Sequence, residues 1–255
     1  MPNRTTTPNI KDAVDLNLTL KPIEKFSLSN GVPIHFINAG AEDVLMVEWV
    51  FNAGNSFEEQ NIVASATNYL LKNGTVQKTA FQINEHFEYY GAYLNRSCHS
   101  ETATITLHCL SKHLSVLLPV IREIITECIF PAEELEIYKQ NSKQKLTVNL
   151  QKCDFVGNRL IDVYLYGSNH PYGKFNNAVD YDLLQTDWIK TFYHQYYKNG
   201  KCIIFAAGKL PGDFQEQLNR FFGDININQP IDKPRHIALP ASQKKFRIIN
   251  DPKGV

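Results

Sequence analysis

The 255-residue sequence has no excess of either charge: 26 Lys and Arg face 26 Asp and Glu. No basic field exists to hold a phosphate backbone, so nucleic acid is not an expected partner. It also has no uninterrupted apolar run near the ~20 residues of a membrane span, so no such span is expected. The opening M-P-N-R-T-T-T-P-N-I-K-D has no apolar stretch of the kind a secretory signal carries. Cysteines are few and odd in number (Cys98, Cys109, Cys128, Cys153, Cys202), with no C-x-x-C pair. That argues against a disulfide framework and for reduced, mostly buried thiols in a cytoplasmic compartment. No G-x-S-x-G elbow, P-loop or G-x-G-x-x-G occurs. None of the eight histidines pairs at i, i+4 around a carboxylate, so a substitute metal site is not expected.

What is present is a globular core, with 43% apolar residues including 15 Phe and 12 Tyr. Two alternating runs, Glu24 to Leu28 and Pro33 to Ile37, flank Ser29-Asn30-Gly31 and read as a hairpin. Val44 to Phe51 reads as a central strand. Thr79 with Gln82 forms a capping box opening a helix that Gly91 ends. Ala92 to Cys98 and Thr102 to Leu110 read as a second strand pair. Ser111 is placed to cap a helix kinked at Pro119, and Pro131 starts another with Glu133 and Glu134 against its dipole. Further helices are expected over Asp154 to Tyr166, Val179 to Leu184, Trp188 to Tyr197 (capped by Thr186 or Asp187) and Gly212 to Phe222. Lys201 to Ala207 reads as a buried strand. This order is α+β: a mixed, mostly antiparallel sheet with helices packed largely on one face. The chain divides into an N-terminal arm (1–21), an α+β domain (22–228), a proline-bearing linker (229–243) and the start of a second domain (244–255).

One stretch organises the rest. Asn61 to Thr75, N-I-V-A-S-A-T-N-Y-L-L-K-N-G-T, is helix-length, apolar at Ile62, Val63, Ala66, Tyr69 and Leu70, and stops at Asn73-Gly74. Around it stand Leu28-Ser29-Asn30-Gly31, Trp49 to Ser56, Leu71 to Thr75 and Gly91 to Asn95. Pro131 to Glu136, His170-Pro171-Tyr172-Gly173, Phe192 to Tyr197 and Ala206-Ala207-Gly208 follow. In this order and spacing the landmarks resemble the N-terminal domain of the pitrilysin/insulinase family of zinc metallopeptidases, of the mitochondrial processing peptidase type. The resemblance implies a metallopeptidase LuxS/MPP-like, ferredoxin-like α+β fold.

That family carries its zinc on H-x-x-E-H, with a third ligand on a later helix. Here the ligand positions hold Ser65, Tyr69 and Lys145, and the base position holds Asn68. Tyr69 and Lys145 are 76 residues apart, close to the family spacing. A neutral hydroxyl and a phenol are poor zinc ligands at neutral pH, an ammonium repels a cation, and an amide cannot serve as a general base. The resemblance therefore implies a chain with neither catalytic residues nor a cofactor, not an enzyme by itself. Tyr69 and Lys145 are expected to fill the emptied pocket, with Lys145 bonding Asn68, Ser65 or the phenol.

Leu94, Asn95, Arg96 and Ser97 align with the edge strand on which active members lay the substrate backbone. Such an edge accepts an extended peptide by strand addition, and Arg96 would favour acidic residues. The first functional expectation is a non-catalytic partner of a zinc-bearing subunit of the same family, helping to form a peptide chamber. The alternatives are a stand-alone scaffold or peptide-binding protein and, third, an active zinc endopeptidase with a displaced site.

Overall fold

The computed structural model describes residue 19 and residues 21–232. The expected second-domain start at 244–255, most of the arm and most of the linker lie outside the described residues. In chain order the elements are β1 (Glu24–Ser27), β2 (Pro33–Asn38), β3 (Val44–Phe51), α1 (Val63–Leu70), α2 (Ala80–Tyr89), β4 (Tyr93–Cys98) and β5 (Ala103–Leu110). Then come α3 (Leu114–Thr126), α4 (Ala132–Asn149), α5 (Cys153–Tyr166), α6 (Ala178–Leu183), α7 (Thr186–Tyr193), β6 (Cys202–Gly208) and α8 (Phe214–Phe222). This is the α+β fold read from the sequence.

The sheet order is β1-β2-β6-β3-β5-β4, and every pairing is antiparallel except β2 with β6. β3 is central because its alternation V-L-M-V-E-W-V-F buries Leu45, Val47, Trp49 and Phe51 on one face. Trp49 lies opposite Ile105 of β5 and Ile204 of β6, both fully buried, and its indole meets Phe222 of α8 at 5.2 Å between centroids. Helix α3 buries Leu114, Leu117, Leu118, Ile121, Ile124 and Ile125, recurring at helical spacing. The β1–β2 turn needs Gly31, whose φ is 82°. Beside it the Asn30 amide donates to the carbonyls of Phe222 (2.8 Å) and Ile225 (2.7 Å), tying the hairpin to the end of α8.

Several local expectations change. Ser111 does not cap α3; its hydroxyl donates to the Lys209 carbonyl, and a 3-10 turn (Ser111–His113) leads into the helix, which holds Pro119 within it. Pro131 is the residue before the first turn of α4 rather than its first helical residue. Gln185, not Thr186 or Asp187, occupies the cap of α7 and makes no side-chain cap bond. The expected single helix through Tyr197 switches to a π turn at His194–Lys198, where Asn199 ends it.

The Thr79 box forms in full: the hydroxyl accepts from the Gln82 amide at 3.3 Å and the Gln82 side chain accepts from the Thr79 amide at 2.9 Å. Thr79→Ala is expected to cost about 1 kcal/mol, seen as a lower urea midpoint with an unchanged slope.

Candidate functional site

Helix α1 is held at its start by an unusual device. Ile62 has a left-handed backbone (φ 67°), a costly conformation for a β-branched residue. The Glu58 carboxylate accepts from the backbone amides of Ile62 (3.1 Å) and Ala64 (2.8 Å), taking the place of a missing polar cap. Burial pushes Glu58 up to about 7, against the pull of those two hydrogen bonds and of Lys174; the nearby Asp180 adds to the rise.

One turn in, the Ser65 hydroxyl donates to the Ile62 carbonyl at 3.0 Å. Asn68 is 2% exposed. Its amide donates to the Thr104 carbonyl of β5 (3.2 Å) and to the hydroxyl of Tyr197 (3.1 Å), a fully buried phenol from the π turn. The side chain is thus a two-pronged tie between helix, sheet and the π turn. Tyr69, 44% exposed, lays its ring against Tyr138 of α4 at 4.9 Å between centroids. Tyr138 is buried, and burial raises this phenol far above its ordinary value against the smaller pull of the nearby Ser65 and Ser142, so it stays neutral.

Lys145 takes no part in this arrangement. It is exposed on α4, while Ser65 and Asn68 bond to other groups. The expectation that Lys145 fills the pocket fails because Tyr138, two turns earlier on the same helix, faces α1 instead. Tyr69 fills the space only in part, sharing it with Tyr138. The site residues that sequence reasoning missed are therefore Tyr138, Tyr197 and Glu58. Tyr197 was visible only as part of an aromatic run, and Glu58 only as one of two adjacent acids.

β4, which carries Leu94, Asn95, Arg96 and Ser97, lies at one end of the sheet order. Alternation nevertheless puts Arg96 opposite Ile105, on the helix-covered face. Its guanidinium donates to the Tyr69 carbonyl and lies 5.2 Å from the Tyr69 ring centroid, while burial draws it down to about 10. Arg96 clamps the end of α1 rather than facing outward to select acidic residues. Asn95 and Ser97 point to the opposite face, where Ser97 meets the Thr104 hydroxyl at 2.8 Å.

The donor set does not fit a divalent cation. A hydroxyl committed to a carbonyl, an amide committed through its nitrogen, a phenol packed against Tyr138 and an exposed ammonium offer no anionic ligand. Among the described residues no group of three His, Cys, Asp or Glu side chains comes together to hold a metal. The thiols near α1 are quiet: burial pushes Cys98 and Cys128 up to about 12. All five cysteines are free thiols. No helix among the described residues is long and apolar enough to cross a membrane.

Residues 184–254 match the family model described as peptidase M16 inactive domain. The chain is 22% identical over 238 residues to an uncharacterized zinc protease, YmxG, of Bacillus subtilis, covering 88% of this chain and 56% of that protein. It is 23% identical over 200 residues to an uncharacterized zinc protease of Rickettsia felis, covering 74% and 48%. It thus spans about half the length of these curated relatives. Its fold superposes on the crystal structure of a peptidase M16 inactive domain from Pseudomonas fluorescens, with a TM-score of 0.77 at 21% identity, over 85% of this chain and 54% of that one. A protease from Helicobacter pylori gives 0.76 at 16% identity, over 86% and 54%. The landmarks in order, the inactive-domain match over residues 184–254 and the shared α+β fold make the chain similar to the pitrilysin/insulinase-like peptidases of the M16 family.

Proposed function

We propose that this chain is the non-catalytic, zinc-less partner of an active zinc peptidase subunit of the same family, helping to enclose a chamber that holds extended peptide. The observation that carries this reading is Asn68. The position that holds the family's general base is here a buried amide bonded to Thr104 and Tyr197, so it is built into the packing rather than aimed at a substrate. The edge of β4 that pairs with no other strand among the described residues, at Leu94, Asn95 and Ser97, supplies backbone groups for peptide pairing without requiring hydrolysis. A cytoplasmic setting belongs to the same reading, with free thiols as its support.

Affinity purification of the tagged chain from its native organism tests the proposal. A stoichiometric relative bearing an intact H-x-x-E-H and bound zinc is the expected result. Recovery of the chain alone, still binding extended peptides, would replace the partner role with that of a stand-alone peptide-binding protein. Stoichiometric zinc and peptide cleavage by the isolated chain would overturn both.

A further inference from the structure

Between the entrance to α1 and α7 lies a recess of about 230 Å³, walled by Phe57, Val63, Trp188, Phe192 and Tyr196, with Glu59 and Gln195 also lining it. Trp188, Phe192 and Tyr196 recur every four residues, so α7 and the π turn set them along one face. The Phe192 and Tyr196 rings are 4.5 Å apart between centroids, and Phe57 approaches Tyr196 at 5.5 Å. Phe57 and Phe192 are buried, while Trp188 and Tyr196 are only half-buried and so leave ring surface free.

Glu59 is exposed and, among the described residues, enters no ion pair. Its charge reaches the Tyr196 phenol, whose rise is caused first by burial and then by this carboxylate. Aromatic rings present negative faces to a cation, and a carboxylate beside them adds charge complementarity that no ion pair among the described residues satisfies. The apolar walls suit a methylene stem. The volume is below that of a typical drug-sized pocket, which limits the occupant to a single side chain.

The geometry points to a binding site for one lysine side chain of a partner protein, its stem against Trp188 and Tyr196 and its ammonium beside Glu59. This goes beyond the partner-subunit reading and does not depend on it. The sequence has two tryptophans, and Trp49 is fully buried against Phe222, so Trp188 reports on the recess directly. The test is fluorescence titration of the 255-residue chain with acetylated, amidated Gly-Lys-Gly, against the same peptide carrying norleucine or glutamate in place of lysine.

The expected result is a saturable change with the lysine peptide alone, weakened roughly tenfold in Glu59→Gln and in Tyr196→Leu. Thermal melts of both variants confirm that each is folded. No saturable response to lysine overturns the proposal, as does an equal response to norleucine or glutamate, or unchanged binding by folded Glu59→Gln.

Discussion

Asn68→Asp, a change of one amide to one carboxylate, is expected to destabilise the protein by about 3 kcal/mol at pH 7. For a chain of this length that corresponds to a fall of roughly 10 °C in melting temperature. The wild-type amide is 2% exposed and donates to the Thr104 carbonyl and the Tyr197 hydroxyl. A carboxylate has no proton to give, so an oxygen lone pair would face the Thr104 carbonyl while a charge is carried into a buried site, where the Arg96 guanidinium near Tyr197 offsets only part of the cost. Tyr197 can turn to donate, recovering one bond of the two.

Burial raises the folded pKa of the introduced acid above its unfolded value of about 3.9. The penalty is therefore full at neutral pH and shrinks as pH falls towards the unfolded value. Asn68→Leu separates the two contributions, since it loses the hydrogen bonds but carries no charge and should show no such pH dependence. Thermal unfolding of the three proteins at pH 7 and pH 4.5 measures both. An Asn68→Asp protein that melts with the wild type would show that the amide is not the tie between helix, sheet and π turn.

Glu58→Gln is expected to flatten the pH dependence of stability between about pH 4.5 and pH 7. The folded carboxyl sits at about 7, above its ordinary 4.5. Across that interval the folded chain keeps a proton that the unfolded chain has released. The contribution to stability is thus complete below pH 4.5 and is lost as pH rises through 7. The full shift would amount to at most about 3 kcal/mol, and solvent screening of a half-buried group brings it to about 2 kcal/mol.

Lys174 pulls the carboxyl down and Asp180 pushes it up, so both belong to the balance. The glutamine retains an oxygen to accept from Ile62 or Ala64 but has no proton to lose. Urea unfolding at pH 5 and pH 8 should show wild-type stability falling between them and the variant's nearly level. Equal falls in the two proteins would mean that the carboxyl capping α1 titrates normally.

Some residues of this chain act through neighbours in the sequence and others through distant ones. Val44 to Phe51 emerged with its expected bounds because alternation over eight residues has one solution on a half-buried sheet. The Thr79–Gln82 box formed because its partners are three residues apart. The edge position of β4 followed from the family likeness, and the topology agrees.

The errors lie where two elements compete. Ser111 is a good cap by composition, but the approaching Lys209 carbonyl takes its hydroxyl. Arg96 reads as an exposed edge cation, yet the pairing of β4 with β5 turns it inward onto Tyr69. Lys145 has the right separation from Tyr69, but separation along the chain does not say which residue of α4 faces α1. The packing of α4 gives that place to Tyr138.

The sequence by itself determined the fold class and the chemical character of the side chains at Ser65, Asn68 and Tyr69: a hydroxyl, an amide and a phenol, none of them an imidazole or a carboxylate. Both depend on residue identity and local period, which are written in the chain. Only the tertiary structure decided what the pocket became. The partners of Asn68 are 36 and 129 residues away, and the cap of α1 is a side chain reaching past a left-handed Ile62. Such contacts form when separate elements close on each other, and no local pattern encodes the distance between them.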